Sequence, residues 1–445
     1  MSKSVFKKLV ISFILMSTTP AGAQLNKTFA EMFNKFLRQD LFSIDPSSTF
    51  FDRSAILADS QLRPALNNLI SGNISSFPLP STVAGITFGL RAGRPEIYKE
   101  SLGPIYAETA ETVGQWNLNF GFNIAHYALS EVRGVPLDAL SFMFFTDDVN
   151  EDGQLGGPDP VGFFFETETM QVLPDLHLDA TSFVLFATLG LTDRIDFGFA
   201  IPITTLEMSG EARALLSGTT FHQSGVSNYS FRQQAGAIDF RNPILEDTFS
   251  YDKSSTGIGD ISLRLKYRFL TSQSADVAGF LDVSLPTGDE ANYLGTGSSN
   301  VSVSLIVSNK LGGFTPHLNF GYQYHGANFD SDEIEFIAGF DHKLSKKITF
   351  ALDVLGRYDL QSNKIVVLPG KQELIFSPDN SARFAREIDR SNVPRYRYDN
   401  LLDAAIGLKI APTNNLLIMA NILTPLQDGG LRSNVVAMVG TAFTF

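Results

Sequence analysis

The chain has 445 residues, with 38 Phe, 36 Gly, 12 Tyr, one Trp and no Cys, and a formal charge of −13. Without cysteine there is no disulfide framework, thiolate metal site or lipid-anchored N-terminal Cys. The acidic balance argues against nucleic acid, whose phosphates demand a basic surface.

Lys3, Lys7 and Lys8 precede the apolar run "LVISFILM" at 9–16, and "AGA" at 21–23 follows it. A basic region, a short apolar region and a small-residue cleavage site define a secretory signal peptide over 1–23, with Gln24 as the mature start. The run is too short to span a bilayer, and no later stretch reaches the roughly 18 apolar residues of a membrane helix. Two classes remain for an exported chain without a helical span: a soluble protein, or a β-barrel in an outer membrane.

Residues 24–80 read as helical. Phe29, Met32, Phe33 and Phe36 recur at helical spacing, with Lys27, Glu31, Lys35 and Arg38 on other faces. A second helical stretch, 56–70, is interrupted by Pro64, and "SSFPLPST" at 75–82 ends it. The apolar stripe needs a partner, so this part is expected to dock in or under the larger domain, as a plug or as a periplasmic segment.

From about residue 115 the period becomes 2. In "GIGDISLRLKYRFL", Ile261, Leu263, Leu265, Tyr267 and Phe269 hold one phase and Asp260, Ser262, Arg264, Lys266 and Arg268 the other. Successive strand side chains point to opposite faces, so one face is greasy and the other ionic. Twelve such segments follow: 115–129, 176–190, 193–207, 257–270, 275–286, 299–311, 314–326, 333–343, 347–360, 399–411, 414–424 and 433–445. Segments 176–190 and 414–424 are apolar on both phases, which leaves their register open. Tight turns ("LTD", "TSQS", "GG", "SKK", "PT") alternate with mostly longer connections, as in outer-membrane barrels with short periplasmic turns and longer outside loops. A soluble β-sandwich also alternates, with its apolar face inward. The signal peptide, the long/short alternation and the terminal Phe445, placed for an aromatic girdle, favour the membrane. The expected fold is all-β: one transmembrane antiparallel β-barrel over 81–445, of twelve strands. The alternative of fourteen depends on whether "TVAGITFGL" (82–90) pairs in the wall.

Three stretches carry a family resemblance. They are "TGIGDISLRLKYRFL" (256–270), "GFLDVSLPTGDEANYLGTGSSNVSVSLIVS" (279–308) and "FTPHLNFGYQYHG" (314–326). They resemble the bacterial family named for the meta-pathway of phenol degradation. "GPIYAETAETVGQWNLNFGFN" (103–123), "LGLTDRIDFGFAIPI" (189–203) and "NILTPLQDGGLRSNVVAMVGTAFTF" (421–445) extend the likeness over most of the mature chain. The resemblance implies an outer-membrane barrel of a Gram-negative bacterium, similar in outline to FadL-like channels for hydrophobic compounds. It implies passage of a small hydrophobic or aromatic solute, and carries no catalytic signature. Membrane lipid, lipopolysaccharide and the barrel-assembly machinery are the expected partners. The competing readings are a structural or adhesive barrel that transports nothing and, more remotely, a barrel hydrolase.

The expected lumen-lining charges are Arg264, Lys266, Arg268, Asp282, Glu333, Glu335, Asp353, Arg357, Asp403 and Lys409. They form either a polar pore lining or an internal ion-pair network that braces a bore too narrow to conduct, because buried charge must be paired or hydrated. "DVNEDGQLGGPD" places Asp148, Asn150, Asp152 and Asp159 at the spacing of a calcium loop, though the last position is Asp where Glu is usual, and no helix flanks it. A solvated acidic loop fits the same residues. His126 falls on the apolar phase of its strand, without a serine partner at fixed spacing. The glycine-rich "PTGDEANYLGTGS" (286–298) reads as an outside loop at the mouth of the barrel.

Overall fold

A computed structural model describes residues 24–43, 51–75, 77–78, 81, 88–91, 94–97, 101–147, 168–217, 229–232, 238–272, 275–368, 370–375 and 385–445. The segment 1–23 and the acidic loop with Asp148, Asn150, Asp152 and Asp159 lie outside the described residues.

Twelve antiparallel strands close into a barrel: β1 Leu118–Val132, β2 Leu176–Gly190, β3 Ile195–Ser217, β4 in two pieces Glu246–Ile258 and Ile261–Thr271, β5 Ala275–Leu285, β6 Asn300–Asn309, β7 Phe314–His325, β8 Glu333–Ser345, β9 Ile348–Asp359, β10 Leu401–Thr413, β11 Leu416–Pro425 and β12 Leu431–Thr444. Each pairs with its sequence neighbours, and β12 closes on β1 through Phe443↔Phe120 and Thr441↔Phe122. All twelve sequence segments become wall strands, most with ends displaced by a few residues, but β3 ends ten residues later and β4 begins eleven residues earlier than the alternation predicts. Phe88–Arg91 pairs with Arg94–Ile97 as a separate hairpin, so the described part of the "TVAGITFGL" stretch, Phe88–Leu90, adds no strand to the wall, which has twelve among the described residues.

The strand alternation maps onto outside and inside. Phe320 is 52% exposed and its neighbour Asn319 9%; Val439 is 56% exposed and Met438 2%. Leu263, Leu265, Tyr267 and Phe269 all face outward. A continuous band of this size in water would cost roughly 25 cal/mol for every Å² of apolar surface, and soluble monomers rarely expose such patches. Acyl chains cover it instead. Among the described residues no helix is long and apolar enough to cross a membrane. At the tight-turn end, Phe445 stacks on Phe120 with ring centres 5.8 Å apart, and Trp116 is 71% exposed. These rings belong at a membrane boundary.

The inner wall has two halves. From β4 to β9 it is polar, as the alternation predicts. On β1, β2, β11 and β12 it is apolar, with Tyr127, Leu178, Phe186, Met419 and Met438 buried and facing inward. This resolves the two segments that are apolar on both phases: one face meets lipid and the other meets polypeptide inside the bore.

That polypeptide is the N-terminal part. Thr28–Asn34, extended by Lys35–Gln39, forms α1; Asp52–Leu57, the π-helical Ala58–Leu62 and Arg63–Ser75 form α2. Pro64 does not break α2, because the wider π turn before it accommodates its missing N–H. Phe29, Met32, Phe33 and Phe36 are at most 2% exposed, and Phe33 meets Phe142 and Phe144 edge-on. The stripe is buried, and the helices sit at the long-loop end, where they form a cap. Leu25 N–H donates to Asn292, Ser71 to the Gly295 carbonyl and Asn73 to the Leu431 carbonyl. Lys35 pairs with Asp247 and Glu31 with Lys253.

Candidate functional site

The deepest element in the bore is neither helix nor strand. Residues 101–113 are almost wholly buried and arch across the lumen, with Leu102 and Val113 meeting the wall near the tight turns and 105–107 reaching further in to Asp353. Asp353, fully buried on β9, accepts the backbone N–H groups of Ile105, Tyr106 and Ala107 at 3.0, 2.8 and 3.4 Å. Thr349 accepts from Leu102 N–H, Ser308 from Ala110 N–H and Asp196 from Val113 N–H. Lys266 and Glu108 form an ion pair at 2.7 Å, with side chains 2% and 7% exposed. Lys310, in the β6–β7 turn, holds Glu111 and Asp276 at 2.9 and 2.8 Å. Burial alone would lower its pKa, but the hydrogen bond to Asp276 and the Glu111 charge prevail and raise it. A segment without regular structure cannot satisfy its own amides, so the wall supplies the acceptors.

Gly339 makes the central clasp possible. His317, Gly339 and Asp353 lie side by side on β7, β8 and β9. A Cβ at Gly339 would come within 2.6 Å of Asp353 Oδ1 and 2.2 Å of the Leu352 carbonyl oxygen. Its absence lets His317 Nε2 reach Asp353 Oδ1 at 2.7 Å across an intervening strand. His317 Nδ1 lies 3.4 Å from Asp341 Oδ1 on the other side. The imidazole thus bridges two buried carboxylates.

Above the segment lies a cavity of about 240 Å³. Ile74, Phe77 and Pro78 of the cap form one boundary and Tyr106 and Glu108 the other. Its walls are mixed. Ser262, Ser302, Ser304 and Asn319 contribute small polar groups; Phe280, Leu355 and Leu401 contribute apolar faces. The loop 286–298 roofs it: Asp260 accepts Gly288 and Thr296 N–H groups, Tyr293 donates to Asn67, and Leu294 reaches the cavity.

The charges expected from sequence divide by task. Arg264 pairs with Asp282 at 2.8 Å, and Asp403 with Arg432. Lys266 and Asp353 hold the inner segment, and Lys409 is buried near the tight-turn end. Arg268 donates to the Asp193 carbonyl at that rim. Glu335 accepts the Ser302 hydroxyl, and Glu333 lies 3.9 Å from His325. Arg357 opens into the cavity. Some of these charges thus brace the bore and others line an open space. Sequence reasoning missed Glu108, Thr349, His317 and Gly339, which lie far from their partners in the chain. His126 faces outward, with Nδ1 3.0 Å from Thr181 Oγ1 and Nε2 3.9 Å from Asp179; the strand amides around it are engaged in the ladder.

The fold and its occupied bore define a membrane-spanning β-barrel with an internal chamber. The chain belongs to the family described as "Putative MetA-pathway of phenol degradation", whose model matches residues 178–422. Among solved structures it is similar to the COG4313 outer membrane channel from Pseudomonas putida F1, at 11% identity over 76% of this chain and 98% of that one, with a TM-score of 0.41. It is also similar to a Pseudomonas aeruginosa FadL homologue, at 10% identity over 82% of this chain and 97% of that one, with a TM-score of 0.31. No curated protein matches the sequence.

Proposed function

We propose that the protein is an outer-membrane channel for a small hydrophobic or aromatic solute, gated by residues 101–113. The observation that carries this reading is a solute-sized chamber enclosed in a lipid-facing barrel, between a helical cap and a segment clasped to the wall. The apolar faces of Phe280, Leu355 and Leu401 support a solute with an apolar body. Export by an N-terminal signal, insertion by the barrel-assembly machinery and contact with lipopolysaccharide accompany the reading. A calcium site at Asp148, Asn150, Asp152 and Asp159 stays a separate proposal, checked by calcium titration of the purified protein.

The clasp around the segment favours a closed resting state. In planar bilayers the native protein is expected to conduct weakly. Asp353→Ala strips three amides of their acceptor, each loss costing about 1–3 kcal/mol, and conductance is expected to rise several-fold. Gly339→Ala, which removes no charge but displaces Asp353, is expected to act in the same direction. Absence of conductance in all three proteins would favour a structural barrel that transports nothing.

A further inference from the structure

Two arginines reach the chamber with donors to spare. Arg264 is 7% exposed, and its Nε is spent on Asp282 and Ser262. Its two terminal nitrogens have no hydrogen-bond partner among the described residues, and its guanidinium lies 6.0 Å from the Phe280 ring centre. Arg357, five strands further round the twelve-strand wall and so nearly opposite, has no acceptor or carboxylate within bonding distance among the described residues. A guanidinium carries five N–H donors and no acceptor, so several donors from both walls face one enclosed space.

The carboxylates around the chamber do not use them up. Asp282 is taken by Arg264, Asp403 by Arg432 and Glu108 by Lys266. Asp260 holds the Gly288 and Thr296 amides. Glu335, opposite Arg357 in the ladder, takes the Ser302 hydroxyl, and Glu333 and Asp403 lie near enough to feel the Arg357 charge without bonding it. The chamber has room for about eight waters at about 30 Å³ each, which suits one ring-sized molecule.

We propose that the chamber binds a small organic carboxylate, its anionic end between Arg264 and Arg357 and its apolar body against Phe280 and Leu355. This rests on the channel reading and narrows its solute class. Planar, charge-assisted bonding is what arginine offers a carboxylate and cannot offer a hydrocarbon.

The test uses the full mature chain in detergent, titrated calorimetrically with benzoate and with its neutral counterpart benzyl alcohol. Benzoate is expected to bind at least tenfold more tightly, and Arg357→Gln to remove that preference while leaving benzyl alcohol unchanged. Equal affinities, or a benzoate affinity unmoved by Arg357→Gln, would overturn the proposal. Arg357 makes no hydrogen bond or close ion pair among the described residues, so the variant is expected to fold, as judged by heat-modifiable gel migration. Should it not fold, the salt dependence of benzoate binding to the native protein decides instead: affinity that does not fall with added KCl overturns the assignment. Bilayer recordings on the same preparation separate the two readings. A conducting protein without benzoate preference sinks the carboxylate alone, whereas benzoate binding without conductance in any variant sinks the channel.

Discussion

A buried ion pair is held by balance, and the Lys266–Glu108 pair shows where that balance acts. Both side chains are removed from water at the point where the inner segment meets the wall. Removing one partner leaves the other charged and dry, a cost of about 3–5 kcal/mol, whereas removing both is often nearly neutral. Lys266→Met is therefore expected to lower the urea midpoint of the folded barrel strongly, and Lys266→Met with Glu108→Gln to recover most of the loss. Additive losses in that double-mutant cycle would show that the two do not act as a pair. At the loop end, Asp330 accepts from His325 Nδ1. Burial would raise its pKa, but the His325 hydrogen bond and charge outweigh burial and lower it. A lowered carboxyl pKa contributes stability above the ordinary value of 3.8, and the contribution is lost as pH falls through the lowered value. Asp330→Asn is expected to destabilise the barrel at pH 6, with a penalty that shrinks as pH falls below 3.8; a penalty independent of pH would assign the effect to shape rather than charge.

At the scale of elements, the strands were the legible part. Alternation such as Leu263, Leu265 and Tyr267 against Arg264 and Lys266 carries a period of 2 that the wall preserves. The register of β2 and β11 was not legible, because an inner wall that packs on polypeptide is as apolar as one facing lipid. The run 101–113 was less legible still. Its conformation is set by acceptors on β6 and β9, some two hundred residues away and more, and no local period records that. The amphipathic stripe of α1 announced burial but not the end of the barrel where burial occurs. Cap and inner segment are separable in consequence. Phe33→Asp places a charge among Phe142 and Phe144 at a cost of several kcal/mol. It is expected to expose residues 24–75 to limited proteolysis while conductance stays low, since the clasp at Asp353 is untouched. A large rise in conductance would make the cap the gate instead.

On the scale of the whole molecule, the path of the chain has a consequence for assembly. The described residues begin in the cap at the long-loop end, line the chamber at Phe77 and Pro78, cross the lumen near the tight turns through 101–113 and enter β1 at the tight-turn end. The wall then goes once round and meets β1 again through β12. A helix about 10 Å across has little chance of being drawn lengthwise through a bore already closed and packed with side chains. The contents must be in place while the β12–β1 seam is still open, so the barrel is wrapped around its own beginning and sewn shut last.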